Sequence, residues 1–236
     1  MHGNRAGSLI FTPFFCTMRQ FLFPVFLIML SAAGIAQVNP VIFAGPQVTS
    51  AHYIVRDNKQ PASFKFGFIA GAGLKVPFDN QLYFFPSIYY SLKGYKVDLK
   101  DAAFPPSPYA LNNNTTIHTI EISPMFHFDF NKKPSHPFIR LGPAVDFVLS
   151  GKESFDSLGT GGTVNTVSRP MVFSFADYGR YTASANIHLG YETGNGIMVY
   201  AFYNHGIGSL NNADNGPRIL HRVIGLSFGW VFPSIQ

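Results

Sequence analysis

The chain has 236 residues, a length that suits one domain, and its charged residues amount to 12% against a usual ~25%. Aromatic residues reach 16%, which argues against an ordinary soluble surface, and the dispersed formal charge of +5 argues against nucleic acid as a partner. No window holds the roughly 20 consecutive apolar residues of a transmembrane helix, so any membrane span must come from strands.

The N-terminal segment has the succession of residues that is typical of a secretory signal peptide. Arg19 precedes an apolar run from Phe21 to Leu30, and small residues follow as far as Ala36. We predict that residues 1–36 are a signal peptide cleaved after Ala36. If Met18 is the true start, residues 1–17 are an upstream extension. A buried core helix is the alternative interpretation, and a proline at position 24 disfavours it.

Export would remove Cys16, the one cysteine of the chain. We therefore expect the mature domain, residues 37–236, to contain no disulfide, thiol catalyst or cysteine-bound metal. Cleavage would also remove Arg5 and Arg19 and no acidic residue, which reduces the positive charge further.

The mature region has the hydrophobic period of two that is typical of β-strands, and no segment with a helical period competes with it. We predict eight strands, at Val41–Tyr53, Phe64–Val76, Leu82–Val97, Thr116–Phe130, Phe138–Lys152, Tyr181–Glu192, Ile197–Ile207 and Ile219–Phe232.

The connections between these strands alternate in length. Short connections at residues 77–81, 131–137 and 193–196 alternate with longer ones at 54–63, 100–115, 153–180 and 208–218. Short turns at one end, long loops at the other and an even number of strands are typical of outer-membrane barrels. We therefore predict an all-β fold, an eight-stranded antiparallel up-and-down transmembrane β-barrel.

The faces of the strands predict which side points outward. In the sixth strand, bulky residues such as Ile187 and Leu189 alternate with polar ones such as Asn186 and His188. A lipocalin-like barrel with an apolar interior would show the same alternation. However, eight strands enclose a space that a limited set of side chains fills. The bulky face is therefore expected to contact lipid, and the face rich in Gly, Ser and Ala to line the lumen.

Two groups of residues lead to further expectations about the barrel. Pro86, Pro124 and Pro143 lie inside strands, where each removes a backbone donor, and we expect bulges or kinks there. Aromatic residues near the short-turn ends are placed where a periplasmic girdle would lie. These are Phe84, Phe130, Tyr191, Trp230 and Phe232.

Six charged residues fall on faces that are expected to point inward. Unpaired buried charges are costly, so we predict that they form one connected network in the lumen. They are Lys93, Glu121, Asp129, Arg140, Asp146 and Lys152.

Several segments resemble the PorT-like family of small outer-membrane β-barrel proteins. Leu82–Gly94 resembles the third strand of that family, and Pro137–Pro143, continuing to Lys152, resembles the fifth. Val199–Gly206 together with Arg222–Phe232 is similar to the closing hairpin. The similarity extends roughly over residues 64–232. It implies an outer-membrane barrel with no defined catalytic residues, and the secretion role of one named relative is not carried over.

The predicted location implies three kinds of partner. These are the lipid of the outer membrane of a Gram-negative bacterium, the barrel assembly machinery during insertion, and a protein or surface ligand at the extracellular loops. Gly225, Phe228 and Trp230 form a pattern similar to the terminal signal of barrel substrates. No cofactor is expected.

A small lipid-modifying hydrolase with an active site at the rim is the alternative function. Its serine and histidine would have to meet at the outer rim, and His205 near Ser209 is the one candidate pair. A triad also needs an orienting carboxylate, for which Asp214 is merely near in sequence. We therefore expect no catalytic residues and no enzyme.

Two further motifs have an ordinary structural explanation. His127 and Asp129, with Glu121 further along the strand, could hold a metal, but a hydrogen-bond network in the lumen is the favoured explanation. The run Gly159–Thr163 is glycine-rich but lacks the lysine and helix of a phosphate-binding loop. We expect neither a metal site nor a cofactor site. The function favoured by the sequence is a non-catalytic structural or interaction role through the long loops, and a pore is a weaker third hypothesis.

Overall fold

Eleven strands make up most of residues 38–234, the part of the chain that the computed structural model describes. The predicted signal peptide lies outside these residues. One turn of 3₁₀ helix, Thr160–Gly162, lies between β7 and β8. The strands are β1 (Asn39–Val55), β2 (Asn58–Lys59), β3 (Ala62–Ser63), β4 (Lys65–Asp79), β5 (Leu82–Asp98), β6 (Asn112–Asp129), β7 (His136–Leu158), β8 (Val164–Pro170), β9 (Tyr181–Glu192), β10 (Ile197–Gly206) and β11 (Arg218–Val231).

The eight long strands form a closed antiparallel ring. The neighbours run in the order β11, β10, β9, β7, β6, β5, β4 and β1, and β1 pairs with β11 to complete the circle. Val41 lies opposite Val231 at one end of this last pairing, and Ile54 lies opposite Arg218 at the other. This ring confirms the predicted eight-stranded up-and-down barrel. Within residues 38–234, no helix has the length and apolar character needed to cross a bilayer.

The two ends of the ring differ in their connections, as predicted. Tight connections join β4 to β5, β6 to β7 and β9 to β10, and we call this side the short-turn end. The longer connections lie at the opposite, long-loop end. There β7 extends beyond the ring and pairs with β8 as a hairpin, Leu158 lying opposite Val164. This hairpin falls within residues 153–180, where the sequence predicted only a loop.

The outward face of the ring is apolar, which agrees with the prediction. On β11, the outward side chains of Ile224, Leu226, Phe228 and Trp230 are between 44% and 59% exposed. On β9, Ile187 is 41% exposed whereas its neighbour Asn186 is buried at 3%. A lipocalin-like arrangement would reverse these values, so the apolar face points away from the lumen.

The lumen contains more aromatic side chains than the sequence predicted. Toward the short-turn end, the lumen is filled by a cluster to which Phe43, Phe85, Tyr89, Phe138 and Tyr200 belong. Glycines on the same face provide the space for these rings. A Cβ atom at position 190 would lie 2.7 Å from the ring of Phe138. The side chains therefore fill the interior, as expected for eight strands.

No shift of register marks the bulges expected at Pro86, Pro124 and Pro143, although the pairing of β6 with β7 is interrupted between Ile122 and Phe126; the expected kinks stay a prediction. Pro86 lies directly opposite Pro124, and the pairing of β6 with β7 keeps one register on both sides of Pro124. Lumen hydroxyl groups bond to carbonyls beside these prolines. The Ser87 hydroxyl donates to the Ser123 carbonyl at 3.2 Å, and the Ser123 hydroxyl donates to the Pro143 carbonyl at 2.9 Å. Serines adjacent to the prolines thus provide side-chain hydrogen bonds across this part of the sheet.

An irregularity occurs instead between β6 and β7, nearer the long-loop end. His118 pairs with Ser150 while the adjacent Thr119 pairs with Val148, so Leu149 is an extra residue. One extra residue exchanges the two faces of the strand beyond it. Ser150 and Lys152 are consequently exposed, and the prediction that Lys152 faces the lumen is wrong.

Candidate functional site

A buried ionic cluster occupies the middle of the lumen. The Lys93 ammonium lies 2.7 Å from Glu121 Oε1 and 3.0 Å from Asp146 Oδ2. The Thr182 hydroxyl donates to the same Asp146 oxygen at 2.9 Å. All three charged side chains are almost completely buried, so each depends on these partners in place of water.

A second ionic cluster lies at the short-turn end. Lys75 Nζ is 3.0 Å from Asp129 Oδ2 and 2.9 Å from Glu192 Oε2. His127 Nε2 is 2.6 Å from Asp129 Oδ1, while Arg140 Nε donates to His127 Nδ1 at 2.7 Å. The acceptor role of Nδ1 places the histidine proton on Nε2, from which it is donated to Asp129.

The predicted network is therefore present in a modified form. Five of the six predicted residues are buried, and they are divided between two clusters. Lys152 belongs to neither cluster because the extra residue in β7 turns it outward. Lys75, Glu192 and His136, whose Nε2 lies 3.0 Å from Asp129 Oδ1, were missed because their partners lie on other strands and depend on strand stagger.

The second cluster is also where a metal could be considered. His127, Asp129 and Glu192 offer ligand atoms that all lie within 4.8 Å of one another. Glu121, which the sequence analysis considered for this role, is bonded to Lys93 instead. The Lys75 ammonium already lies between the carboxylates of Asp129 and Glu192, and a divalent ion would have to displace it. The arrangement is better described as a salt-bridge cluster.

The long loops pack over the mouth of the barrel. Leu210 and Tyr178, from two different connections, join Tyr53, Tyr95 and Ile117 of the strands in one buried apolar cluster. This mouth cluster closes the long-loop end of the lumen. The long connections are thereby held in place as parts of the core.

Polar contacts fix the same loops. The Tyr178 hydroxyl donates to Glu153 Oε2 at 2.7 Å, and the Tyr53 hydroxyl donates to the Pro105 carbonyl at 3.2 Å. Burial raises the pKa of Tyr178 well above its usual range, so its hydroxyl stays protonated and remains a donor. Arg169 Nε donates to the other oxygen of Glu153 at 2.8 Å.

Apolar side chains are exposed on the outer surface of these packed loops. Phe175 is 96% exposed, Tyr109 66% and Val164 55%. Val164 begins β8, which pairs only with β7 and so has one free edge. An ordered surface with exposed apolar groups and an unpaired strand edge is suited to binding another molecule.

The residues considered for a hydrolase form hydrogen bonds with other partners. His205 Nδ1 is 3.1 Å from the Tyr203 hydroxyl, and the Ser209 Oγ accepts the backbone N–H groups of Asn211 and Ile219. Within residues 38–234, no hydrogen bond joins His205 to Ser209. The glycine-rich run at residues 159–163 lies at the exposed hairpin tip, where Gly161 has φ of 79°.

A closed antiparallel ring with an apolar outer face and a polar, filled interior defines a small transmembrane β-barrel. Residues 30–212 match the outer membrane protein beta-barrel domain, and the chain belongs to that family. It is accordingly a protein of the Gram-negative outer membrane. That its short turns face the periplasm and its long loops face outward stays a prediction.

Solved structures similar to the chain include three barrels. Ail, the attachment invasion locus protein of Yersinia pestis, is 12% identical, with 82% of this chain and 99% of that chain covered and a TM-score of 0.42. Neisserial surface protein A is 13% identical, with 80% and 96% covered and a TM-score of 0.42. The outer membrane enzyme PagL is 14% identical, with 79% and 99% covered and a TM-score of 0.38. No curated protein sequence matches the chain.

Proposed function

We propose that this protein is a non-catalytic outer-membrane barrel that binds a protein or surface ligand through its long loops. The observation that carries the proposal is the ordered long-loop surface, on which Phe175, Tyr109 and Val164 are exposed above a packed mouth cluster. Large apolar side chains on an ordered surface favour binding, because little conformational freedom is lost when the partner docks. The filled lumen disfavours a pore.

We also propose, more specifically, that the chain is a PorT-like barrel. It is supported by Leu82–Gly94 in β5, by Pro137–Lys152 in β7, and by the hairpin that β10 and β11 form. All three segments are barrel strands, so the resemblance concerns the scaffold. The loop partner is consequently a property of this chain's own loops, and no secretion role is proposed. Insertion by the barrel assembly machinery also stays a proposal.

A photo-crosslinking amino acid introduced in place of Phe175 or Tyr109 tests the loop interaction in intact cells. Irradiation is expected to produce a discrete adduct of higher mass at both loop positions. Phe78, 69% exposed beside the short β4–β5 turn, provides a matched control position that faces the periplasm. Equal adducts at position 78, or none at 175 and 109, would contradict the proposal.

The proposal that the protein is not an enzyme requires a separate measurement. Outer-membrane lipids from cells with and without the protein are expected to have the same masses. A change in acyl composition that His205→Ala or Ser209→Ala abolishes would instead establish the alternative, a lipid-modifying hydrolase.

A further inference from the structure

The sheet is interrupted on one side of β1, near the long-loop end. The pairing of β1 with β4 ends at Thr49, and its pairing with β2 begins only at Ile54. Residues 50–53 therefore have strand partners only on β11. The segment at residues 60–64 bends away, leaving a cleft of about 690 Å³ whose lining includes Ser50, His52, Lys59, Phe64 and Arg222.

Basic side chains are concentrated around this cleft. Lys59 and Arg218 both lie opposite Ile54, Arg222 lies opposite Ser50, and His205 lies opposite Arg222 on the next strand. The cations in salt bridges among residues 38–234 are Lys75, Lys93, Arg169 and two histidines, at 127 and 136. None of the basic groups around the cleft thus forms a salt bridge within that range, and the one carboxylate bonded to a lining residue is that of Asp101, which accepts from Gln60 at 2.8 Å.

Arg222 is held in an orientation that leaves donors free. Its Nη1 donates to the carbonyls of Gly206 and His221, each at 3.0 Å. Its Nε and Nη2 make no hydrogen bond within the described range. A fixed guanidinium with free donors matches the oxygen atoms of a phosphate group well.

An apolar groove lies directly below the cleft, toward the middle of the membrane. Ile224 and Leu226 follow Arg222 on the same outward face of β11, and Val48 lies opposite Ile224. These residues, with Phe66 and Ala201, line a groove of about 350 Å³. A positively charged cleft therefore continues into an apolar channel at the boundary of the outer leaflet.

We propose that the cleft binds the phosphate-bearing headgroup of an outer-leaflet lipid, with the acyl chains lying in the groove below. Charge complementarity favours a phosphate, and the groove on the lipid-facing surface favours a ligand with acyl chains. A soluble acidic molecule would use the cations but not the groove. The site is distinct from the loop surface proposed above, since none of Phe175, Tyr109 and Val164 lines the cleft.

Native mass spectrometry of the purified full chain in detergent tests this proposal, with lipid A as the probe. Lipid A without its phosphates is the comparison, and inorganic phosphate and a soluble acidic peptide are the competitors. Each basic residue near an anionic lipid contributes roughly fivefold in affinity. We expect lipid A to bind roughly 25-fold more tightly than its dephosphorylated form, and neither competitor to displace it at comparable concentration.

Two pairs of substitutions distinguish the cleft from general charge attraction. Lys59→Gln with Arg222→Gln is expected to weaken lipid A binding roughly 25-fold. Lys132→Gln with Lys152→Gln removes the same charge from exposed positions that do not line the cleft and is expected to leave binding within about twofold of the original. Heat-dependent electrophoretic mobility shows whether each variant has folded.

Three results would overturn the proposal. They are equal affinity for both forms of lipid A, equal weakening by the two pairs of substitutions, and displacement by phosphate or by the peptide. If the cleft variant fails to fold, the comparison of the two lipids on the unmodified protein still decides the question.

Discussion

The ammonium group of Lys93 forms salt bridges with two carboxylates in the middle of the lumen. Glu121 is completely buried and Asp146 nearly so, and no other cation among residues 38–234 forms a salt bridge with them. Removing one partner of a buried ion pair costs about 3–5 kcal/mol, because the remaining charge is left without compensation. Lys93→Met is therefore expected to lower the free energy of unfolding by about that amount.

Reversible unfolding in lipid vesicles, followed by the fluorescence of Trp230, measures this loss. The triple variant Lys93→Met, Glu121→Gln and Asp146→Asn removes all three charges and is expected to recover most of the stability. A Lys93→Met protein as stable as the original would show that the cluster contributes nothing.

The residues of these clusters could be predicted only in part. Strand period places Glu121, Asp129 and Asp146 on the inward face, and the structure confirms this. The alternation of side chains assigns Lys152 to the wrong face, because a single extra residue upstream in β7 exchanges the faces. Nothing in the local sequence indicates this extra residue. Pairing across the lumen, such as that of Lys75 with Glu192, depends on the stagger of distant strands.

At the scale of elements, the β7–β8 hairpin extends beyond the ring, from the pairing of Lys152 with Pro170 to that of Leu158 with Val164. Its tip carries Gly161, around which a Cβ atom would meet no neighbour within 4 Å. An epitope inserted there is expected to leave the barrel intact and to be labelled by antibody on whole cells. An epitope in the turn after β6, at Lys133, is the control and should be labelled only after permeabilisation. The reverse result would invert the topology.

The strands of the ring were predictable, whereas the packing of the loops was not. Alternating side chains in β9 or β11 identify a strand without reference to its neighbours. Tyr178 and Leu210 lie in irregular segments with no period, and only the assembled ring brings them together. The burial of Glu153, which forms a salt bridge with Arg169, could not be predicted either, since Glu153 follows the irregularity in β7.

At the scale of the whole molecule, the outward apolar face determines where the protein resides. Ile187→Arg places a cation on the lipid-facing surface of β9 and is expected to cost about 2–4 kcal/mol near the middle of the bilayer. Tyr181→Arg, on the same face but near the long-loop end, is the control and should cost about 0–1 kcal/mol. Unfolding in vesicles measures both. Equal stability of Ile187→Arg and the original protein would refute membrane residence.

Asn186→Ser shortens a polar lumen side chain that makes two hydrogen bonds to other strands. The Asn186 amide donates to the Tyr89 hydroxyl at 3.1 Å and to the Ser123 hydroxyl at 3.3 Å. The shorter serine cannot keep both bonds, and the loss is expected to cost about 1 kcal/mol. This substitution therefore reports on the lumen and not on the lipid face.

The pairing of β1 with β11 has a consequence for the timing of assembly. The first and last strands of the ring are neighbours, so the chain's most distant contacts are also the ones that complete it. Until β11 arrives, β1 and β10 each have an unpaired edge, and such edges readily pair with other chains. Contacts between distant residues also form slowly. An unfinished ring therefore leaves two strand edges open to other chains until its last strand has paired.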